Sequence, residues 1–269
     1  MTQGRRADRE QTRHYRVPRG ILGRFVDLLW LYDGEVAAHP SERLLPMPTT
    51  EMVIDLRSAS HAAHPTLVGP HSQYWVLNTC EARSVLGVHF KIGGAFPFFG
   101  APAMVLHNVR TSLDSLWGPT AALLVEQVLS APTPDAKFDV LEAALLGMAG
   151  TFERHPAVAF AVQQLSACAP AAGVAAVTRA VGMCERRFRD RFQSEVGMTP
   201  KLFARVQRFQ KVIGRVHPLH EVDWADVACD CGYFDQAHFI NDFRMFSGLT
   251  PVEYLGLKSE HRNHVPQPD

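Results

Sequence analysis

The sequence lacks several features that define common classes of protein. It carries no net charge, because 27 lysine and arginine residues balance 27 aspartate and glutamate residues within 269 residues. It has no unbroken apolar run of about 18 residues, which argues against a membrane-spanning helix. Its five cysteines are few and irregularly spaced, which favours reduced thiols and a cytoplasmic protein. Its apolar content of 46% excludes a disordered chain, and its length suffices for a large core without disulfides.

The sequence also lacks the motifs of common catalytic sites. It contains no Gly-rich phosphate loop, no Gly-x-Ser-x-Gly elbow and no paired Cys/His nucleophile arrangement. Cys229 and Cys231 lack a second ligand pair at a fitting distance, and His61 and His64 form a lone pair in a Pro-bounded loop. We therefore expect no catalytic residue, no metal site and no cofactor. An enzyme whose β-barrel holds a metal through His61, His64 or His89 is kept as an alternative.

The composition changes near residue 118. Before that point, short apolar runs at 51–57, 73–77 and 84–91 are separated by Pro, Gly and Ser, which is typical of a β-sandwich or barrel. The spacing at 20–31 predicts an amphipathic helix. After residue 118 the spacing of apolar residues becomes helical.

An internal repeat dominates the last hundred residues. Arg186–Phe192 followed by Gly197-Met-Thr-Pro resembles Ala237–Phe243 followed by Gly248-Leu-Thr-Pro, with an offset of 51 residues. In each copy two phenylalanines are spaced i, i+4, so they lie on one helix face and are expected to be buried.

A short predicted helix ending in glycine precedes each copy. Gly182 and Gly232 can adopt the left-handed backbone that a tight turn between two helices requires. Asp235 is a suitable N-cap for the helix that follows the second turn. A short helix, a turn and a longer helix form the helix-turn-helix pattern, in which the second helix enters the DNA major groove. The alternative is a helical bundle with a duplicated hairpin and no nucleic-acid function.

The charges of the two copies differ in sign. Residues 174–216 contain ten basic and three acidic residues, a net charge of +7. Residues 217–258 contain two basic and seven acidic residues, a net charge of −5. A neutral protein that concentrates positive charge in this way is expected to have an anionic partner. The first copy should therefore supply most of the attraction to phosphate.

The stretch from Gly232 to Pro251, which reads GYFDQAHFINDFRMFSGLTP, resembles the signature of the AraC/XylS family of transcription regulators. The resemblance covers about residues 156–257. It implies two small helical subdomains joined by a long helix at 200–216, with the two reading helices in adjacent major grooves on one face of the DNA. The region from Tyr15 to Trp117 resembles, more loosely, the N-terminal domains of some of these regulators.

The resemblance also implies which side chains contact DNA. On the first reading helix, Arg186, Arg189 and Asp190 fall at base-contact positions, and Gln193 also points outward. Asp190 replaces a residue that is commonly basic; it either accepts a hydrogen bond from cytosine or pairs with a neighbouring arginine. Arg187 and Arg191 either face phosphates or form solvated surface.

On the second reading helix, Asn241 replaces a residue that is often basic in the family. His238 is either a phosphate donor or an exposed surface histidine. The matching outward positions are Gln236, Ala237, Ile240 and Asn241. We assign phosphate contacts to Arg191, Lys201 and Arg244.

The sequence thus predicts an α+β chain in which a β-rich domain precedes an all-α domain with two helix-turn-helix motifs. The predicted function is a sequence-specific, cytoplasmic DNA-binding transcription regulator controlled by a small molecule or by dimerisation. Its partners would be double-stranded DNA, a small-molecule effector, RNA polymerase and a second copy of the chain, with no membrane. A protein-interaction adaptor that has lost DNA binding is a further alternative. The predicted segments are a disordered basic tail at 1–16, a β-rich sensing or dimerisation domain at 17–118, a helical linker at 119–155, the double helix-turn-helix domain at 156–257 and a disordered tail at 258–269.

Overall fold

The computed structural model describes residues 12–34, 39–57, 65–79, 83–150, 153–167, 173–257, 259 and 261–267. The strands are β1 Thr12–Arg16, β2 Val26–Gly34, β3 Ser41–Leu44, β4 Glu51–Asp55, β5 Thr66–Val68, β6 Trp75–Asn78, β7 Arg83–Phe90, β8 Arg110–Ser112 and β9 His264–Pro266. The helices are α1 Phe96–Phe99, α2 Asp114–Trp117, α3 Pro119–Ser130, α4 Pro134–Met148, α5 Pro156–Ser166, α6 Val174–Ala180, α7 Glu185–Val196, α8 Pro200–Val216, α9 Trp224–Asp230, α10 Gln236–Ser247 and α11 Pro251–Leu257.

The N-terminal part forms an antiparallel sheet of six strands in the order β1-β2-β7-β4-β5-β8. The predicted strands near 51, 75 and 84 are confirmed. The helix predicted at 20–31 is wrong, because Leu22–Arg24 form one 3-10 turn and β2 follows at once. β2 pairs with β1 on one side and β7 on the other, and this pairing outweighs a local helical spacing.

Helices α3 and α4 belong to the N-terminal core. Leu124, Phe138 and Leu141 are buried in the same apolar cluster as Leu29 and Phe90 of the sheet. The prediction of a helical linker at 119–155 therefore differs from the structure. Each of these helices is amphipathic, and its apolar face packs on the sheet. This packing removes the apolar side chains from solvent.

Both chain ends contribute strands where the sequence predicts tails. β1 lies within the segment 1–16, and β9 lies within 258–269. β9 pairs with β3 in a second, three-stranded sheet of order β6-β3-β9. The disorder predicted for the two tails is wrong for residues 12–16 and 264–266, because pairing with β2 and β3 satisfies the hydrogen-bonding groups of their backbone.

Helices α5 to α11 surround one apolar cluster, which confirms the predicted all-α region. Phe188, Phe192, Phe239 and Phe243 are all buried, as their spacing predicts. Pro156 occupies the first turn of α5, where its missing N–H costs nothing. In the described part of the chain no helix combines the length and apolar character needed to cross a membrane.

Candidate nucleic-acid interface

The C-terminal region contains two helix-turn-helix motifs. The first motif is α6, its turn and α7, and the second motif is α9, its turn and α10. Gly182 and Gly232 hold the turns with φ of 66° and 80°, a left-handed conformation that favours glycine. The Asp235 side chain caps α10 by accepting a hydrogen bond of 2.7 Å from the backbone N–H of His238. The turn glycines and the N-cap Asp235 therefore have the local roles that the sequence predicts for them.

Helix α8 carries both reading helices, α7 and α10. Its 17 residues span about 25 Å at 1.5 Å per residue. Phe203 packs against Phe192 of α7 with ring centres 5.4 Å apart, and Phe209 packs against Phe243 of α10 at 5.3 Å. One buried aromatic cluster therefore fixes the orientation of both reading helices relative to α8.

Two buried carboxylates anchor the reading helices by ion pairs and hydrogen bonds, and neither was predicted from the sequence to be structural. Glu195 is 1% exposed; it accepts a 2.7 Å bond from Arg191 Nε and a 3.2 Å bond from the backbone N–H of His155. Asp242 is 3% exposed and accepts a 2.7 Å bond from Arg205 Nη2 and a 3.2 Å bond from its Nε. Each carboxylate stands three residues after a buried phenylalanine, so helical periodicity could have placed both on the inward face.

The base-contact positions of the first reading helix face solvent. Arg186 is 88% exposed, and Arg187 and Arg189 are also exposed. Asp190 is exposed beside them, with Oδ2 3.9 Å from Arg186 Nε and Oδ1 3.7 Å from Arg189 Nε. Asp190 thus lies near two arginines of its own helix, Arg186 and Arg189, whereas the sequence interpretation named Arg186 or Arg187. Gln193 is half-buried.

The second reading helix exposes a mixed polar and apolar face. Ile240 is half-buried and borders a small cavity of about 140 Å³ beside Trp224. His238 lies at the side of this face, with its ring 5.3 Å from that of Tyr233 and its Nε2 3.7 Å from Asp242 Oδ2. It is therefore partly packed rather than free on the surface. The exposed members of the predicted set are Gln236, Ala237, Asn241 and Arg244.

A cleft of about 990 Å³ lies between the two motifs. Lys201 is exposed at its wall, and the Arg208 guanidinium lies 5.4 Å above the Tyr233 ring. Arg205 is neutralised there by Asp242. The residues that line the cleft are Val174, Ala175, Thr178, Arg179, Glu185, Lys201, Ala204, Arg205, Arg208, His238 and Asp242.

The C-terminal ends of both reading helices face the β-rich region. A Cβ added at Gly197, which follows α7, would lie 2.5 Å from Pro70 Cγ. Arg43 of β3 donates a 3.1 Å bond to the carbonyl of Ser247, the last residue of α10. A cation at a helix C-terminus is favoured by the helix dipole. The N-terminal halves of both reading helices remain open to solvent.

Among the residues considered as metal ligands, His89 and Cys231 make contacts within the fold. His89 Nδ1 lies 2.7 Å from Glu51 Oε1. Burial lowers the pKa of His89, but the hydrogen bond to Glu51 and the negative charges of Glu51 and Asp27 together outweigh it, so the pKa lies above its usual value. Cys231 is buried in the turn of the second motif. His61 and His64 lie outside the described residues.

A family model described as a helix-turn-helix domain matches residues 177–256. A second model, a domain of unknown function (DUF6597), matches residues 14–112. No curated protein matches the chain. Among solved structures, ToxT from Vibrio cholerae is 12% identical with a TM-score of 0.44, over 92% of this chain and 97% of that chain. The xylose-binding transcription activator XylR is 22% identical with a TM-score of 0.33, over 46% of this chain and 40% of that chain.

The C-terminal region is therefore a DNA-binding module with two helix-turn-helix motifs. Residues 177–256 match a helix-turn-helix domain, which agrees with the two motifs that the structure forms there. The chain thus joins a β-rich N-terminal region to a helical C-terminal region that contains a helix-turn-helix domain.

Proposed function

We propose that the protein reads one DNA duplex with both motifs, placing α7 and α10 in successive major grooves. The observation that carries this proposal is the opposite environment of the two ends of each reading helix. The C-terminal ends contact the β-rich region, whereas the N-terminal halves expose their polar side chains. In helix-turn-helix proteins the N-terminal residues of the second helix contact the base edges.

The first reading helix supplies the strongest base contacts. Arg186 and Arg189 can each donate two hydrogen bonds to guanine O6 and N7, a contact that contributes about 1–3 kcal/mol of discrimination. Asp190 holds these guanidinium groups in position or accepts a hydrogen bond from cytosine. Gln193 lies at the margin of the exposed face of α7. Arg187 contacts the neighbouring backbone.

The second reading helix reads with amides and small apolar groups. Gln236 and Asn241 suit adenine, whereas Ala237 and Ile240 suit the methyl group of thymine. His238 lies at the side of this face near the cleft. The net charge of −5 in this half means that phosphate attraction contributes less here.

Phosphate contacts set the register of the protein on the duplex. Lys201 at the wall of the cleft faces the backbone that crosses between the two grooves, and Arg191 and Arg244 flank the reading helices. Arg191 holds Glu195 with its Nε, so it contacts phosphate with the remaining exposed part of its guanidinium.

The β-rich region controls the reading helices through its contacts with Gly197 and Ser247. A small-molecule effector or a second copy of the chain would bind one arrangement of this contact better than another and so shift DNA affinity. RNA polymerase is a further partner that we propose. Light scattering of the free protein and of its DNA complex would measure the number of copies per site.

Two variants test the proposed DNA contacts. Arg186→Ala should relax base choice at one position of a selected site, by about 5- to 150-fold in relative affinity. Lys201→Ala should weaken all sites evenly and reduce the slope of log affinity against log salt by about 1. The measurement is fluorescence anisotropy on fragments selected from the source genome, at several salt concentrations. An unchanged base preference in Arg186→Ala would contradict the placement of α7.

The adaptor alternative predicts a different result in the same assay. Its supporting observation is the acidic second half of the helical domain. If the wild-type chain binds no fragment at any salt concentration, the exposed faces of α7 and α10 serve a protein partner instead.

A further inference from the structure

Phe234 is the most exposed large apolar side chain described in the structure, at 93%. It lies in the turn of the second motif, directly before Asp235, the N-cap of α10. The residue before it, Tyr233, is buried and packs against Phe239 with ring centres 5.4 Å apart. The core position of this turn is therefore already filled, and Phe234 projects outward.

The two motifs differ in length at this point. Three residues separate Ala180, the end of α6, from the N-cap Cys184, whereas four separate Asp230, the end of α9, from Asp235. The glycine occupies the second place of each turn. In both turns the residue after the glycine, Met183 or Tyr233, packs against the helical core. Phe234 is the additional residue, with no counterpart in the first motif.

The position of Phe234 points to DNA as its contact. It stands at the entry of the reading helix, beside the exposed Gln236 and Ala237. The carboxylate of Asp235 is directed to the helix N-terminus, where it caps the N–H of His238. An aromatic ring at this position stands at the N-terminal end of the second helix of the motif, the end that contacts base edges in helix-turn-helix proteins.

The electrostatics of the second half suggest what the ring recognises. With a net charge of −5 between residues 217 and 258, this motif has few cations with which to bind phosphate. An apolar contact does not depend on charge, and the major groove presents one apolar base group, the 5-methyl of thymine.

We infer that Phe234 is a further specificity-determining residue, which packs on the 5-methyl group of one thymine in the part of the site read by the second motif. This inference rests on the proposed function. It adds a salt-insensitive contact at the acidic motif, where phosphate contacts are scarce.

The test combines a protein substitution with a base substitution. Wild-type protein, Phe234→Ala and the control Tyr15→Ala are titrated against a duplex selected by the wild-type protein, and against copies in which single thymines are replaced by deoxyuridine. Tyr15 is also an exposed aromatic residue but lies on β1. Loss of one buried methyl group should weaken wild-type binding about fourfold, equal to about 0.8 kcal/mol, at one thymine.

Phe234→Ala should bind the thymine duplex about tenfold more weakly and should no longer respond to deoxyuridine at that position. Its melting temperature should match that of the wild type, because the ring is exposed. Tyr15→Ala should keep both the affinity and the deoxyuridine response. An unaltered affinity for Phe234→Ala would overturn the inference, as would a deoxyuridine response that persists at every thymine.

The same titrations separate the inference from the proposed function. If the wild-type protein selects no duplex from the genomic fragments, the proposed function fails. If it binds but Phe234→Ala binds equally well, only the inference fails. A variant that binds DNA normally but does not regulate transcription would instead place Phe234 against a protein, which also overturns the inference.

Discussion

The ion pair between Arg205 of α8 and Asp242 of α10 should respond asymmetrically to mutation. Asp242 is 3% exposed, whereas Arg205 is 30% exposed. Removing the guanidinium in Arg205→Met leaves a buried carboxylate without this partner, with His238 Nε2 3.7 Å from its Oδ2. Breaking a buried pair in this way costs about 3–5 kcal/mol. We expect about 3 kcal/mol, since the partial exposure of Arg205 lets water approach the pair.

The reverse substitution should be milder. Asp242→Asn keeps a side-chain oxygen for Arg205 Nη2, and the guanidinium can still reach solvent, so we expect a loss of about 1 kcal/mol. The double variant Arg205→Met with Asp242→Leu removes both charges and should be more stable than Arg205→Met alone.

Urea unfolding followed by circular dichroism measures these differences, and calorimetry should show a melting temperature about 6–12 °C lower for Arg205→Met. Equal losses for Arg205→Met and Asp242→Asn would refute the burial argument. A double variant less stable than Arg205→Met would show that the carboxylate does not need a charged partner.

Two further predictions concern the buried His71 of the β-rich region and Gly197, which follows α7. Burial lowers the pKa of His71, so below a pH of about 6.5 the unfolded chain binds a proton that the folded chain excludes, and stability should fall as the pH decreases. Urea midpoints at about pH 7.5 and about pH 5.5 should show this loss in the wild type and a smaller loss in His71→Gln; equal losses would contradict it. Gly197→Ala should destabilise the chain by about 1–3 kcal/mol more than Gly182→Ala, because both glycines have positive φ but only the Cβ at residue 197 meets Pro70. Similar urea midpoints for these two variants would show that Pro70 can move enough to accommodate the added methyl group.

The local character of the helical domain could be predicted because it depends on short sequence distances. The i, i+4 phenylalanines, the turn glycines and the N-cap Asp235 each act within one or two helical turns. The exposed arginines of α7 follow from the same periodicity, since Phe188 and Phe192 define the buried face. The signature at 232–251 then identified the domain.

The parts that could not be predicted depend on residues far apart in sequence. β9 pairs with β3 across more than two hundred residues, and Arg43 bonds to Ser247 across a similar distance. Helical periodicity makes α3 and α4 amphipathic but does not say which surface they cover. Long-range pairing is chosen by the total area buried and the hydrogen bonds satisfied, which no local window contains.

The sequence alone therefore determined the duplicated motif and the faces of its reading helices, because helix geometry relates residues three and four apart. Only the tertiary structure decided that the β-rich region contacts the C-terminal ends of both reading helices. It also decided that Phe234 remains outside the core, since Tyr233 competes for that position and fills it.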